Sequence, residues 1–445
     1  MDQGRSAASL LCVVVLTVAC QAGVAASQSA APSTAVPPPV TIAPATTPAA
    51  PSGPSPTATP APVATQAPAP GPTATRAPVP LAKARWSRVK DHAAFADAGL
   101  VAVAANVVRY VAVGVTDADP AMELTVPNAD RSAVIWTSYD GVAWQREAVP
   151  GGATVALTGV ISDPLGFIVW GYRGETQSAM WISPDGLRWE QVPDNLSLTG
   201  VAITGIARLG DRFVAVGSRC TTEGFAEDSD ECLDEVPVAL ESSDGRTWLP
   251  ISGLTGIDEP PNGLASSGSV LVAPVGQGDV YQSTDGAHWT KVTPPGQQGL
   301  VISVVGYAGR FVALGAKWSE AESGPPGVPA RIWTSTDGRA WRTATLRPSS
   351  IGELDLATAH GDEIVALGYR LGGQMLSYRS ADGRTWTRMA STPDAMLDGD
   401  DGDTGCSLCN RTQVRDLADG PRGVVAVGWT NLESGGARAV VWTLR

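Results

Sequence analysis

The sequence predicts an all-β fold, a closed ring of seven four-stranded antiparallel blades, on three observations. A nine-residue box, written as an aromatic residue or Leu, then x-Ser-x-Asp-Gly-x-x-Trp, occurs six times. An apolar run of the type Val-Ala-Val-Gly accompanies it with the same period. The two ends of the chain supply the pieces of one further repeat.

The box at Trp333-Thr-Ser-Thr-Asp-Gly-Arg-Ala-Trp341 recurs with aspartates at Asp140, Asp185, Asp244, Asp285, Asp337 and Asp382, spaced by 45, 59, 41, 52 and 45 residues. That spacing suits one four-stranded blade of a β-propeller with loops of variable length. The second motif reads Val111-Ala-Val-Gly114, Ile168-Val-Trp-Gly171, Val214-Ala-Val-Gly217, Val312-Ala-Leu-Gly315, Val365-Ala-Leu-Gly368 and Val425-Ala-Val-Gly428. A degenerate seventh is Val272-Ala-Pro-Val-Gly276. Short apolar runs bounded by Gly read as buried strands. Each repeat therefore holds a variable first strand, such as 201–207, and the Val-Ala-Val-Gly strand second. Its third strand ends in the aromatic residue before the box, and its fourth starts at the box Trp, as in Trp189-Glu-Gln-Val.

Seven second strands against six boxes leave one blade to be completed. The chain ends Ala439-Val-Val-Trp442-Thr-Leu-Arg445, a third strand that stops where a box would begin. Arg85-Trp86-Ser-Arg-Val89 is a fourth strand with no box before it. Paired, they make the seventh blade and remove the open sheet edges. Within the box, Asp accepts backbone N–H bonds in a tight turn, Gly takes positive φ, Ser bonds the same turn and Trp packs between blades. The six box aspartates are thus expected to be structural.

These boxes resemble the Asp-box, or bacterial neuraminidase repeat, of sialidase-like propellers, over roughly residues 84–445. The resemblance implies the propeller fold, with a working face away from the boxes. It does not imply one activity, because such boxes occur in sialidases, sortilin-type receptors, photosystem assembly factors and other exported proteins. A sialidase needs three Arg around the substrate carboxylate, a Tyr–Glu nucleophile pair and an Asp acid/base, with an Arg-Ile-Pro motif ahead of the first box. No such motif precedes Asp140, the count of blades is seven rather than that family's six, and Tyr110, Tyr172 and Tyr369 sit in no nucleophile motif. No catalytic residue carries over.

The rest of the 445-residue chain reads as targeting and tether. An apolar run from Ala7 to Ala19 suits a signal peptide and is too short to cross a bilayer as a helix. It ends Leu16-Thr-Val-Ala-Cys20, which resembles a bacterial lipobox with Cys20 as the lipidated residue, although Thr17 stands where Leu is preferred. The rival reading is cleavage after Ala26. Residues 1–20 are thus a signal segment and 21–84 a linker of Pro, Ala, Thr, Ser, Gly and Val that lacks a core. In polyproline II form the 55 or so residues from Ser27 to about Leu81 reach roughly 170 Å. Residues 85–445 are the propeller. The expected setting is exported, either as a cell-surface lipoprotein or secreted, and the membrane is met only through the lipid anchor.

The net charge is −13, with only Lys83, Lys90, Lys291 and Lys317 as lysines. No basic run exists to neutralise phosphates, which excludes nucleic acid as a natural partner. Sequence order puts the box turns on one face and the long insertions at 116–132, 219–236, 317–330 and 392–410 on the other. Variable loops on a rigid scaffold are where binding resides. Cys220 and Cys232 share one of these loops, and Cys406 and Cys409 another. Export favours oxidation, and local pairs, Cys220–Cys232 and Cys406–Cys409, are expected because the two loops belong to different blades. Asp398, Asp400, Asp401 and Asp403 make a Gly-rich carboxylate run suited to calcium, the only cofactor suggested, with a solvated acidic loop as the alternative. Arg173, Arg219, Lys317 and Arg370 each lie two residues past a second-strand Gly and are candidates for an anionic ligand, or for balancing the acidic loops. The expected function is non-catalytic binding of a protein or glycan through this face. The alternatives are a sialidase-like glycoside hydrolase and an assembly scaffold.

Overall fold

Each of the seven sheets in the computed structural model is one blade, and the chain visits them in ring order. The structure describes residues 79–90, 95–116, 132–173, 177–221, 235–276, 278–296, 299–317, 329–370, 374–395, 412–431 and 437–445. Blade one holds Ala98–Ala105, Tyr110–Thr116, Ala133–Ser138 and Gln145–Glu147, paired antiparallel in that order. Blades two to six repeat the plan with inner strands Val155–Asp163, Val201–Leu209, Ala265–Ser266, Gly299–Tyr307 and Gly352–His360. In blade seven, Thr412–Gly420, Gly423–Asn431 and Ala437–Leu444 are followed outward by Trp86–Arg88 from the other end of the chain. Trp86 pairs with Leu444 and Arg88 with Trp442, as the unpaired motif ends predict. The fold is a seven-bladed β-propeller.

Cohesion comes from between the blades. Among the described residues, seven apolar clusters fill the seven spaces between consecutive blades, including the space between blades seven and one that closes the ring. Trp136, Trp181, Trp248, Trp386 and Trp442 are among the largest fully buried side chains. Burying one such side chain contributes about 2–3 kcal/mol.

The box turns are built alike. Asp140 Oδ1 accepts the N–H groups of Val142 and Ala143, each at 2.8 Å, and Gly141 N–H donates to Ser138 Oγ at 2.8 Å. Gly141 stands at φ 70° and its five counterparts between 70° and 73°, the left-handed region that the turn requires. The indole N–H of Trp144 donates to the Gly141 carbonyl at 3.1 Å, and the same bond recurs in four other boxes. Trp189 departs: its indole N–H is buried without a partner. Bonds to the ionised form hold all six box carboxylates below their ordinary range.

Element boundaries differ from the motif reading in two ways. Third strands run on through the box Ser, because Ser138 still pairs with Tyr110 of the second strand, and likewise in the other blades. Most fourth strands then start one residue past the box Trp. Blade six carries an extra outermost strand, Thr345–Arg347, parallel to Thr385–Arg388.

Box turns share a face with the turns between first and second strands. Arg212, at the start of blade three's second strand, donates to the Asp285 carbonyl of blade four's box at 2.8 Å. Arg310 of blade five reaches the Asp382 carbonyl of blade six, and Arg445 the Asp140 carbonyl of blade one. The connections from Thr116 to Ala133, Cys220 to Glu235, Lys317 to Ala330 and Arg388 to Thr412 therefore leave and re-enter the sheets at the opposite face.

Candidate functional site

The inner strands open onto that opposite face at a tier of β-bulges. In six blades the first strand gains one unpaired residue at the same register: Val101, Thr158, Thr204, Ile302, Asp355 and Arg415. The residue before each bulge pairs with the Gly of the apolar motif, as Leu100 does with Gly114 and Leu354 with Gly368. A Cβ on that Gly would lie 1.8 Å from the Gly99 carbonyl in blade one and 2.1 Å from the Glu353 carbonyl in blade six. The motif Gly is thus required by close approach of the inner strand. Blade four lacks the device. Its second strand carries Pro274, which has no N–H for the ladder, and its inner strand is two residues long.

Bulges re-aim side chains, and in blades six and seven they gather charge. Asp355 sits half-buried with one carboxylate oxygen enclosed and unpartnered. Burial first, then the neighbouring Glu353, pushes it up to about 7, against the opposing pull of Arg415. Glu353 is itself pushed up by burial. Asp416 turns toward blade one, where it accepts the Val103 N–H at 2.8 Å, and it also accepts its neighbour Leu417's N–H at 2.7 Å. Burial raises it to about 6 despite those bonds. Tyr369 accepts the Val414 N–H at 2.9 Å and is pushed far up by burial, with Asp355 adding to the effect. The bulge tier of blades six and seven therefore holds carboxyl groups whose proton affinity is raised above the ordinary carboxylate range, Asp355 up to about 7.

A carboxyl raised in the folded state stabilises fully below its unfolded value of 3.8 and loses that contribution as pH climbs through about 7. Asp355→Asn is expected to be the more stable protein near pH 8, by roughly 1–3 kcal/mol for a half-buried group, and to show no gain near pH 4. Urea unfolding at the two pH values measures it. A variant with the wild-type pH slope would show that Asp355 ionises freely.

The sequence-predicted cations occupy equivalent registers, opposite Val155, Val201, Gly299 and Gly352 at the same face. They are spread one to a blade. Arg173 is paired with Asp194 at 3.5 Å, Arg219 is half-buried and Arg370 is exposed. Among the described residues no hydrogen bond or ion pair joins any two of them. Cys220 is disulfide-bonded. Cys20, Cys232, Cys406, Cys409 and the calcium candidates Asp398, Asp400, Asp401 and Asp403 lie outside the described residues. Among the described residues no group of three or more His, Cys, Asp or Glu is placed to hold a metal ion. The bulge carboxylates escaped sequence reading. Their one signal is a polar residue breaking an apolar inner strand, as in Leu354-Asp-Leu356 and Val414-Arg-Asp-Leu417.

The tyrosines act as ties between blades. Tyr110 donates to the Gly423 carbonyl at 2.6 Å, and Tyr172 to the Ile203 carbonyl at 2.7 Å. Burial pushes both hydroxyls up to about 12.

No protein-family model matches the chain, and no curated protein matches it. Solved structures similar to it include YCF48 from Cyanidioschyzon merolae, at 14% identity over 81% of this chain and 98% of that one, TM-score 0.46. A catalytically inactive virginiamycin B lyase from Staphylococcus aureus with quinupristin is 11% identical over 82% of this chain and 100% of that one, TM-score 0.44. Trypanosoma rangeli sialidase in complex with sialic acid is 12% identical over 84% of this chain and 59% of that one, TM-score 0.40. These distant likenesses assign no ligand and no reaction.

Proposed function

We propose that the chain is an exported binding protein, anchored through lipid on Cys20, that takes a protein or glycan on the face opposite the Asp boxes and performs no catalysis on it. The observation that carries the reading is the division of the two faces. Box-face connections are short, and three box turns are tied by an Arg from a neighbouring blade, whereas the strands flanking the 16 residues of 117–132 and the 14 of 221–234 end and resume at the other face. A rigid scaffold with long insertions at one end suits recognition of an extended surface. Tyr110, Tyr172 and Tyr369, the hydroxyls nearest in kind to a sialidase nucleophile, support the same reading through their ties to backbone groups of adjacent blades.

The experiment is capture of exported proteins and a glycan array with the mature chain, with and without calcium. Replacing 222–234 by a short Gly-Ser link is expected to abolish binding, and Arg246→Ala on the box face to leave it intact. Equal losses from both changes would overturn the assignment of the face. The second reading, a sialidase-like hydrolase, draws on Asp355, a carboxyl that still carries a proton near neutral pH. Product release from sialyl or neutral glycosides that disappears in Asp355→Asn would favour it over simple binding.

A further inference from the structure

His360 closes the inner strand Gly352–His360 at the box face and is 5% exposed. Its Nδ1 lies 2.8 Å from Asp419 Oδ1, on the inner strand of blade seven. Its Nε2 lies 3.0 Å from the carbonyl oxygen of Val79. Both neighbours are acceptors while Asp419 is ionised, and a neutral imidazole has one N–H to offer. Imidazolium alone satisfies both contacts.

Val79 belongs to the short segment 79–84 that leads into the closing strand Trp86–Arg88. Leu81 in that segment is 1% exposed and packs among apolar residues of blades six and seven. Its N–H donates to Glu363 Oε2 at 2.7 Å, and the other Glu363 oxygen accepts from Arg379 at 3.0 Å. The N–H groups of Lys83 and Ala84 turn back onto the Pro80 carbonyl. The ionisable groups around His360 are thus Asp419 from blade seven and Glu363 from its own blade, the latter already held by Arg379. Tyr110 of blade one also feels Asp419 and is uncharged, its hydroxyl pushed up to about 12 chiefly by burial.

We propose that His360 is a proton-operated clasp that holds segment 79–84 against the propeller, and that loss of its proton lets the segment go. When the ring deprotonates, the retained hydrogen faces the Asp419 carboxylate, the stronger acceptor. Nε2 then turns a lone pair toward the Val79 carbonyl, and two acceptors face each other. The sign follows from the surroundings. Asp419 first, with Val79 and Glu363 adding, raises the proton affinity of His360 above its ordinary 6.5 against the opposing effect of burial. The clasp is therefore complete below about pH 6.5 and is lost as pH rises through the raised folded value. Pairing of Trp86–Arg88 does not depend on it, so the ring stays closed. Release frees six residues, which lengthens any tether arriving from the N-terminal side by roughly 19 Å in extended form.

Hydrogen exchange of the Leu81 and Ala84 amides in the full chain, corrected for intrinsic rate, tests this at about pH 6 and about pH 9. Protection is expected to fall by about tenfold or more across that range in the wild type. It should be equally weak at both in His360→Gln. Asp419→Asn should move the transition to lower pH, and it carries the test if His360→Gln does not fold. With only three histidines in the chain, imidazole carbon shifts read the titration of His360 directly. Wild-type protection that is the same at both pH values, an unchanged pH slope in His360→Gln, or an unmoved transition in Asp419→Asn would each overturn the clasp.

Discussion

A chain beginning at residue 90 is expected to lose the folded ring, whereas one beginning at residue 79 keeps the stability of the full chain. The strand Trp86–Arg88 completes blade seven by pairing with Ala437–Leu444, and Val89 N–H extends the ladder to the Val441 carbonyl at 2.8 Å. Its loss would expose the apolar edge from Val441 to Leu444, the kind of surface that pairs with other chains. Leu81, Ala84 and Trp86 would also leave the space between blades six and seven, and Val89 the space between seven and one. Trp86 further ties blade six through its backbone N–H to Ser391 at 2.9 Å and its indole to Ser377 at 3.3 Å. Emptying one buried Trp site costs about 3–5 kcal/mol. Together these losses are expected to lower Tm by more than about 10 °C or to leave only aggregate. Calorimetry and size-exclusion chromatography of the two truncations decide it, and a monomeric chain from residue 90 with an unchanged Tm would refute closure by this strand.

Gly217→Ala is the point substitution expected to cost most. The new Cβ would stand 1.9 Å from the Ala202 carbonyl oxygen, which is backbone and cannot swing aside. Relief requires undoing the bulge between Ile203 and Gly205. Gly114, Gly171 and Gly428 meet the same obstacle at 1.8, 2.0 and 1.8 Å. A loss above about 3 kcal/mol is expected at each, the range of severe overpacking. Gly263→Ala is the control, since nothing lies within 4 Å of its added Cβ. It is expected to stay within about 0.5 kcal/mol of wild type. Denaturant unfolding of the two variants compares them directly. Similar costs would mean that the close approach at the bulge is not why the motif carries Gly.

Much of the architecture was legible because its signals are local and repeated. A box turn needs Ser, Asp, Gly and Trp at set spacings whatever surrounds it, so six copies mark six blades. The apolar second strand is buried on both sides and reads as an uninterrupted run. An unmatched Trp86 and an unmatched Trp442 were enough to foretell the closing blade. The identity of a functional site was far less legible. Arg173, Arg219, Lys317 and Arg370 align in sequence, yet alignment by register places them in separate blades, and among the described residues no bond draws them together.

What the sequence determined by itself was therefore the repeat, the number of blades, the closure and the face to which the long connections belong. These follow from hydrogen-bonding periods and turn chemistry within about 45 residues of chain, as the box spacing shows. Tertiary structure alone decided which charged groups meet. Asp416 finds Val103 across 313 positions and His360 finds Asp419 across 59. Such contacts form only where two blades face each other, and an inserted bulge residue shifts which side chain arrives there. Proton affinity depends on those neighbours and on burial, so the chemistry of Asp355 and His360 was written between blades rather than within them.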